Sequence, residues 1–189
     1  MSEAASDTSR KRLNIVALAL ALPFAGFATF LLHEGGHWAA GELLGHDMAL
    51  GLNRAAPVDA EPGPTQAALL IMIAGGVGVT LVQGLIGLLI LRWSAAIGYA
   101  VVFFAFFMRL MALGITVAVN PNDEAQIGLM LGVGPYIPHI VVVLALLGVT
   151  IVAARRAGAG WAANVLAYLV GSATITAIVY LDTVIGRIL

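Results

Sequence analysis

Residues 13–44 read LNIVALALALPFAGFATFLLHEGGHWAAGELL, an apolar run that carries the pattern HEGGH at residues 33–37. At about 1.5 Å of rise per residue, a helix of this length exceeds the roughly 30 Å hydrocarbon core of a bilayer, so it must tilt, bend or emerge. Ionisable groups inside a membrane are costly and usually functional. Three such groups within one helical turn therefore mark the end of this run as a candidate site of chemistry.

Composition indicates the environment of the whole chain. Of the 189 residues, 61% are hydrophobic and 10% are charged, and the mean hydropathy is +1.01, which is typical of an integral membrane protein. The net charge of -1 gives no reason to expect a nucleic-acid partner. The chain has no cysteine, which excludes disulfides, thiolate nucleophiles and cysteine-bound zinc and leaves His, Asp and Glu as metal ligands.

Uncharged stretches of spanning length predict an all-α integral membrane fold with about five transmembrane helices. We expect an N-terminal tail over residues 1–12 and a single transmembrane domain over residues 13–189. Residues 45–64 form a loop, because three prolines interrupt the sequence there. The expected spans cover residues 13–44, 65–91, 95–119, 128–154 and 161–181.

The basic residues predict how the chain is oriented. With five spans, most of them fall on one side of the membrane, which the positive-inside rule assigns to the cytosol together with the amino terminus. This side carries Arg10, Lys11, Arg12, Arg92, Arg155 and Arg156, and the other side carries Arg54 and Arg187. A cleaved signal peptide is the alternative for the first span. The apolar run continues to Leu32 without a break, however, which favours a retained helix.

The pattern His-Glu-x-x-His has a direct chemical interpretation on a helix. Residues four apart share a face, so His33 and His37 can chelate one Zn²⁺, with Glu34 beside the water that the metal activates. Zinc lowers the pKa of that water toward ~7, and the carboxylate takes its proton as general base during attack on an amide carbonyl. Alternatively, the two histidines bind haem or have a structural role. The cost of idle charge in lipid favours catalysis.

A zinc site needs a third protein ligand, and Asp123 is the residue that we select. The segment NPNDE at residues 120–124 interrupts apolar sequence, and with alternating spans it falls on the same side of the membrane as the end of the first helix. The segment is also typical of an ordinary turn that caps the next helix. A metzincin site is not expected, because Ala40 and Leu43 stand where that pattern needs Gly and His.

Three other side chains are weaker candidates for the third ligand. Glu42 is rotated by ~140° from the face of His37 and should point elsewhere. Glu61 lies in the proline-rich loop, and His46 could reach the site only if the helix unwound after Leu44.

The three patterns together resemble the site-2 protease family of intramembrane zinc metallopeptidases. That family carries His-Glu-x-x-His on one core helix, a motif of Ala-Gly-Pro type on the next, and an Asn-Pro-Asp-Gly or Leu-Asp-Gly segment with an aspartate ligand on the third. This chain is similar in order and spacing, over roughly residues 30–128. It has HEGGH at residues 33–37, IAGG at residues 73–76 and NPND at residues 120–123.

The chain departs from the family pattern at three positions. Gly76 stands in place of the usual proline, Asn122 is inserted before the aspartate, and Glu124 stands where glycine is expected. Glu124 is therefore the alternative third ligand. The resemblance implies a three-helix core and a short membrane-associated β element after the first helix. Residues 48–52 alternate weakly and could pair with an unwound substrate as an added strand.

Arg109 and His139 are polar residues inside spans and need partners or a function. Arg109 should be paired, with Glu42, Glu124 or Asp182 as candidate partners, or it could act directly on substrate or oxyanion. His139 could bind metal, stabilise the tetrahedral intermediate or bond a backbone carbonyl. Together with Asn120, these two residues are the candidate substrate or transition-state contacts.

The expected function is hydrolysis of peptide bonds in or near a membrane segment. His33, His37 and Asp123 would hold Zn²⁺, and Glu34 would act as general base and then acid. The expected partners are a membrane protein or peptide substrate and the lipid bilayer, with an accessory membrane protein for substrate recognition as a further candidate. The alternatives are a membrane protein that binds haem or another pigment through His33 and His37, or a proteolytically inactive scaffold of the same fold.

Overall fold

The computed structural model describes residues 13–59 and 62–189, and within them six helices and one two-stranded sheet follow in order. The helices are α1 (Ile15–Leu43), α2 (Gln66–Ile90), α3 (Ala95–Ala118), α4 (Asp123–Met130), α5 (Ile137–Ala157) and α6 (Trp161–Ile185). The strands, β1 (Met48–Leu50) and β2 (Ala55–Pro57), lie between α1 and α2. The predicted tail over residues 1–12 and the candidate ligand Glu61 lie outside the described residues.

Five of the helices, α1, α2, α3, α5 and α6, are long and apolar enough to cross a membrane. The predicted fold class is therefore confirmed: a helical, multi-pass membrane architecture with a small β element after the first helix. Much of the apolar surface of each helix is not covered by the rest of the protein. In the 18-residue apolar segment of each helix, the share of buried residues ranges from 28% in α6 to 50% in α3. Lipid is the solvent that suits such a surface.

α3 lies at the centre of the bundle and supplies most of the aromatic core. Phe103, Phe104 and Phe107 are buried on it and pack against Leu18 and Leu22 of α1. Phe103 and Phe107 stack with ring centroids 5.1 Å apart. This core fixes α1 against α3 and so determines where the end of α1 that carries the HEGGH pattern lies.

The first three helices each begin at a side-chain cap. Asn14, Thr65 and Ser94 have extended backbone conformations, and each side chain accepts a hydrogen bond from the backbone N–H three residues later. Such caps satisfy backbone donors that a helix start otherwise leaves free. The predicted and observed beginnings of these three helices therefore agree within two residues.

The fourth predicted span, residues 128–154, is wrong at its start. The chain forms the short helix α4, breaks over residues 131–136, and only then enters α5. Gly132 and Gly134 have φ values of 71° and 85°, a left-handed conformation that interrupts a right-handed helix and that glycine adopts at low cost. Apolar composition alone does not reveal this break. The consequence is that Asp123 starts a separate helix directly after α3.

The predicted β element is an antiparallel hairpin, with Met48 opposite Pro57 and Leu50 opposite Ala55. The hairpin is tied to the end of α6, since the Asp182 carboxylate Oδ1 accepts hydrogen bonds from the backbone N–H groups of Leu52 and Asn53 at 2.9 and 3.1 Å. These bonds hold the hairpin turn in a fixed position relative to the bundle.

Candidate metal centre

Two histidines and an aspartate meet between α1, α2 and α4. His33 and His37 lie one turn apart on α1, with their Nε2 atoms 3.0 Å from each other. Asp123, in the first turn of α4, places Oδ2 3.0 Å from His33 Nε2 and 3.6 Å from His37 Nε2. One ligand atom from each residue lies within 4.8 Å of the others. The expected proximity of Asp123 to the two histidines is therefore present.

The second nitrogen of each imidazole determines the direction of its lone pair. His37 Nδ1 donates to the backbone carbonyl of Met72 at 2.8 Å, because a carbonyl can only accept. His33 Nδ1 lies 3.0 Å from the Thr80 hydroxyl, which itself donates to the Gly76 carbonyl. In these tautomers both Nε2 atoms carry lone pairs toward the same point. His33 Nε2, His37 Nε2 and Asp123 Oδ2 therefore present lone pairs toward one another and can serve together as a set of ligand atoms for a cation.

Asp123 supplies the anionic member of this set. The Arg109 guanidinium donates to Asp123 Oδ2 at 3.0 Å, and a neighbouring cation favours the ionised form of a carboxyl group. The carboxylate is therefore ionised, as a metal ligand must be. Two neutral imidazoles and one carboxylate fit the ligand chemistry of zinc in catalytic sites.

Glycines on α2 let that helix approach the imidazoles closely. A Cβ atom on Gly76 would collide with His37 Nε2 and would lie 2.8 Å from His33 Cε1. A Cβ atom on Gly36 would lie 2.7 Å from the Gly75 carbonyl oxygen, so the backbones of α1 and α2 touch at this level. Gly36 and Gly75 therefore let the two helices pack closely, and Gly76 additionally leaves room for the side chains that form the site.

Glu34 lines a cavity of about 500 Å³ together with His33, His37 and Asp123. Glu34 is 7% exposed. Around these polar groups the cavity wall is mostly apolar. Its apolar lining includes Phe30, Met72, Ile73, Met108 and Ile175. The cavity therefore combines a few converging polar side chains with an apolar wall, a composition typical of ligand sites.

Arg109 is buried beside the centre and pairs with acidic residues, as its position in α3 predicts. Its Nη1 atom donates to Asp123 Oδ2 at 3.0 Å and to both Glu124 oxygens at 3.3 Å, and its Nη2 atom lies 3.3 Å from His33 Nε2. The expected pairing with Glu124 is confirmed, and the contact with Asp123 is an addition. The other candidate partners, Glu42 and Asp182, bond to the hairpin instead.

Glu124 and His139 lie behind the cavity. Glu124 is 0% exposed, and its carboxylate faces Arg109 and, at 3.4 Å, His139 Nδ1. The ligand group comprises His33, His37 and Asp123, so the alternative ligand Glu124 is separate from it. His139 is fully buried with its Nε2 atom 2.9 Å from the Thr116 hydroxyl, and it is not among the residues that line the cavity, so its contact with substrate stays a prediction.

The expected contact between Asn120 and substrate stays a prediction, because Asn120 is exposed and does not line the cavity. Asn122 lines it instead, with its backbone N–H bonded to the Thr116 hydroxyl at 3.1 Å and its side chain bonded to the Ala112 carbonyl at 3.3 Å. The residue inserted relative to the family pattern thus ties the start of α4 to α3. No sequence signal distinguishes Asn122 from Asn120 in this role.

The weaker ligand candidates lie elsewhere. Glu42 points away from the site, as the helix geometry predicts, and its Oε1 atom accepts the backbone N–H of Met48 at 2.9 Å. His46 follows the end of α1, where its backbone N–H bonds to the Gly41 carbonyl at 3.1 Å. α1 ends at Leu43, one residue before the predicted end, and His46 is not part of the group formed by His33, His37 and Asp123.

The two edges of the hairpin differ. Residues Met48 and Leu50 point their backbone groups outward from β1, and each group has a partner: Glu42 and Trp38 bond to Met48, and Ile188 and Leu189 bond to Leu50. On β2 the antiparallel register turns the N–H and C=O groups of Ala55 to the outer edge. The expected strand at residues 48–52 therefore has a closed edge, whereas the outward Ala55 groups of β2, which lines the cavity, bond to none of the described residues and leave that edge open.

Comparison with known proteins adds no assignment to this geometry. No protein-family model matches the chain, and neither a curated protein nor a solved structure matches it. The functional interpretation accordingly rests on the residues and their arrangement.

Proposed function

We propose that the protein is an intramembrane zinc metallopeptidase of site-2 protease type, which hydrolyses peptide bonds of membrane-embedded or membrane-proximal substrates. The observation that carries the proposal is the convergence of His33 Nε2, His37 Nε2 and Asp123 Oδ2 beside a cavity that Glu34 also lines. These residues are the ligands and the base that the sequence predicts, and their proximity supports the proposal. The proposed cytosolic amino terminus follows from the basic residues alone.

His33, His37 and Asp123 would hold the ion, which would supply Lewis-acid activation of a water molecule and of the scissile carbonyl. Glu34 takes a proton from the attacking water and passes it to the departing amide nitrogen, so that the products are a carboxyl group and an amine. Glu34 therefore acts as general base and then as general acid.

The substrate would bind in an extended conformation. A helical segment hides its amide groups in internal hydrogen bonds, so it must unwind before attack. The open N–H and C=O groups of Ala55 on β2 offer an unwound segment one pair of strand-type hydrogen bonds at the cavity wall. Pro57, the next outward residue, has no N–H and limits the pairing to a short stretch.

The alternatives receive less support from the geometry. Two histidine nitrogens 3.0 Å apart cannot occupy opposite faces of a haem iron, and His139 is buried away from them. A proteolytically inactive scaffold would keep the same ligands, so only turnover separates it from the enzyme.

The test is elemental analysis of the purified protein combined with cleavage of an unstructured apolar peptide in detergent. We expect one zinc ion per chain, loss of zinc in Asp123→Ala, retention in the matched variant Glu42→Gln, and cleavage only by zinc-loaded protein. Zinc without turnover would favour the scaffold. A visible absorption band that disappears in His33→Ala would favour haem, and protein without bound metal or pigment would reject a metal centre altogether.

A further inference from the structure

A buried ion pair lies directly behind the candidate metal centre. Arg109 is 2% exposed and Glu124 is 0% exposed, and Arg109 Nη1 lies 3.3 Å from both Glu124 oxygens. Removing one partner of a buried pair leaves an uncompensated charge, which is strongly destabilising. Such a pair needs an explanation, because apolar residues of similar volume would be at least as stable.

Arg109 competes for the atoms that would bind the metal. Its guanidinium donates to Asp123 Oδ2 at 3.0 Å and reaches within 3.3 Å of His33 Nε2. Arginine is always protonated, so a permanent cation stands at two of the three ligand atoms. Left without a counterion, this cation would repel a divalent ion and occupy its carboxylate ligand.

Glu124 supplies the missing counterion, since both of its carboxylate oxygens lie 3.3 Å from Arg109 Nη1. Arg109 thus has two carboxylate partners, Asp123 and Glu124, at 3.0 and 3.3 Å from its Nη1 atom. With glutamine at position 124, Asp123 would be the sole anionic partner of Arg109.

The side chain of Glu124 lies between α3 and α5. His139 Nδ1 lies 3.4 Å from Glu124 Oε2, and His139 Nε2 lies 2.9 Å from the Thr116 hydroxyl. The same hydroxyl accepts the backbone N–H of Asn122 at 3.1 Å. Glu124 therefore pairs with Arg109 of α3 and lies beside His139 of α5, whose Nδ1 atom makes no hydrogen bond within the described residues, while the adjacent Asp123 faces His33 and His37.

We infer that Glu124 is a positioning residue for the metal centre: as the buried counterion of Arg109, it leaves Asp123 available to a divalent cation. The inference rests on the proposed function, since it assumes a metal at His33, His37 and Asp123. Second-layer partners of metal ligands typically change metal affinity by 10–100-fold.

The experiment measures zinc affinity by competition with a chelator in the full-length protein, in detergent. Glu124→Gln should raise the dissociation constant by about 10–100-fold, although glutamine keeps the shape of the side chain. Arg109→Gln should bind zinc as tightly as the wild type or more tightly, because the competing cation is gone. The double variant should return to within about threefold of the wild type, and Glu42→Gln, which removes the same charge from an exposed site, should match the wild type.

Three results would overturn the inference. The first is an unchanged zinc affinity in Glu124→Gln, and the second is a double variant that binds zinc no better than Glu124→Gln. The third is weaker zinc binding in Arg109→Gln, which can be measured even where Glu124→Gln fails to fold. Circular dichroism and thermal unfolding of each variant separate lost affinity from lost fold. Wild-type protein that binds no zinc would instead reject the proposed function, and the inference with it.

Discussion

Gly76 of α2 lies against His37 of α1 so closely that a single methyl group on the glycine would collide with the Nε2 atom of the imidazole. Gly78, two residues later on α2, has open space where its Cβ would be. The two glycines therefore form a matched pair, one at the candidate site and one outside it.

Gly76→Ala should reduce zinc affinity and lower the stability of the protein by about 1–3 kcal/mol, the usual cost of overpacking a buried site. Gly78→Ala should be neutral or stabilise the helix by up to about 1 kcal/mol. Zinc titration and thermal unfolding in detergent measure both effects. Equal behaviour of the two variants would contradict the close approach of α2 to the histidines.

Thr80→Val should weaken zinc binding by about 10–100-fold, because it removes the hydroxyl that fixes the tautomer and orientation of His33. Thr150→Val is the control: Thr150 is also buried, and its hydroxyl also bonds to the carbonyl four residues earlier. The chelator competition assay compares the two. A loss of affinity in both variants would indicate a general packing effect and argue against the role of Thr80.

Glu34→Gln should abolish cleavage and retain zinc. Removal of a general base costs roughly 10²–10⁴-fold in rate, whereas none of the three expected ligand atoms is changed. Peptide cleavage and zinc content are measured on the same preparation. Retained peptidase activity at the wild-type rate would reject the assigned chemistry of Glu34.

Ala55→Pro should raise KM for an extended peptide by roughly two- to tenfold, since it deletes one strand-type hydrogen bond worth about 0.5–1.5 kcal/mol. Zinc content should not change. Ala55→Val, which keeps the N–H group and suits a strand, is the matched control and should resemble the wild type. An unaffected KM in Ala55→Pro would mean that the edge of β2 does not bind the substrate.

The sequence predicts the helices well because each span is a long apolar run with a recognisable end. His33 and His37 are also readable, since four residues of separation place two side chains on one face of any helix. The start of the fourth span is not readable, because Gly132 and Gly134 break the helix inside sequence that is still apolar. Local hydropathy does not report the backbone conformation of individual glycines.

Contacts between distant segments are the part that sequence reasoning misses. The spacing of the spans indicates that Asp123 lies on the same side as the histidines, but it contains nothing about Thr80 behind His33 or about Arg109 beside Asp123. The closed edge of β1 is hidden for the same reason, since its partners Ile188 and Leu189 come from the other end of the chain. Each of these pairs depends on how whole helices pack.

The aspartate lies 90 positions after the first histidine, and this separation has a consequence for biosynthesis. A nascent chain that has inserted only its first two spans offers an ion two imidazoles and no carboxylate from α4. Stable metal uptake therefore waits until α4 has docked, so metal content reports the completion of tertiary assembly. In a pulse-labelled membrane preparation, the protein should acquire zinc later than it inserts α1 and α2.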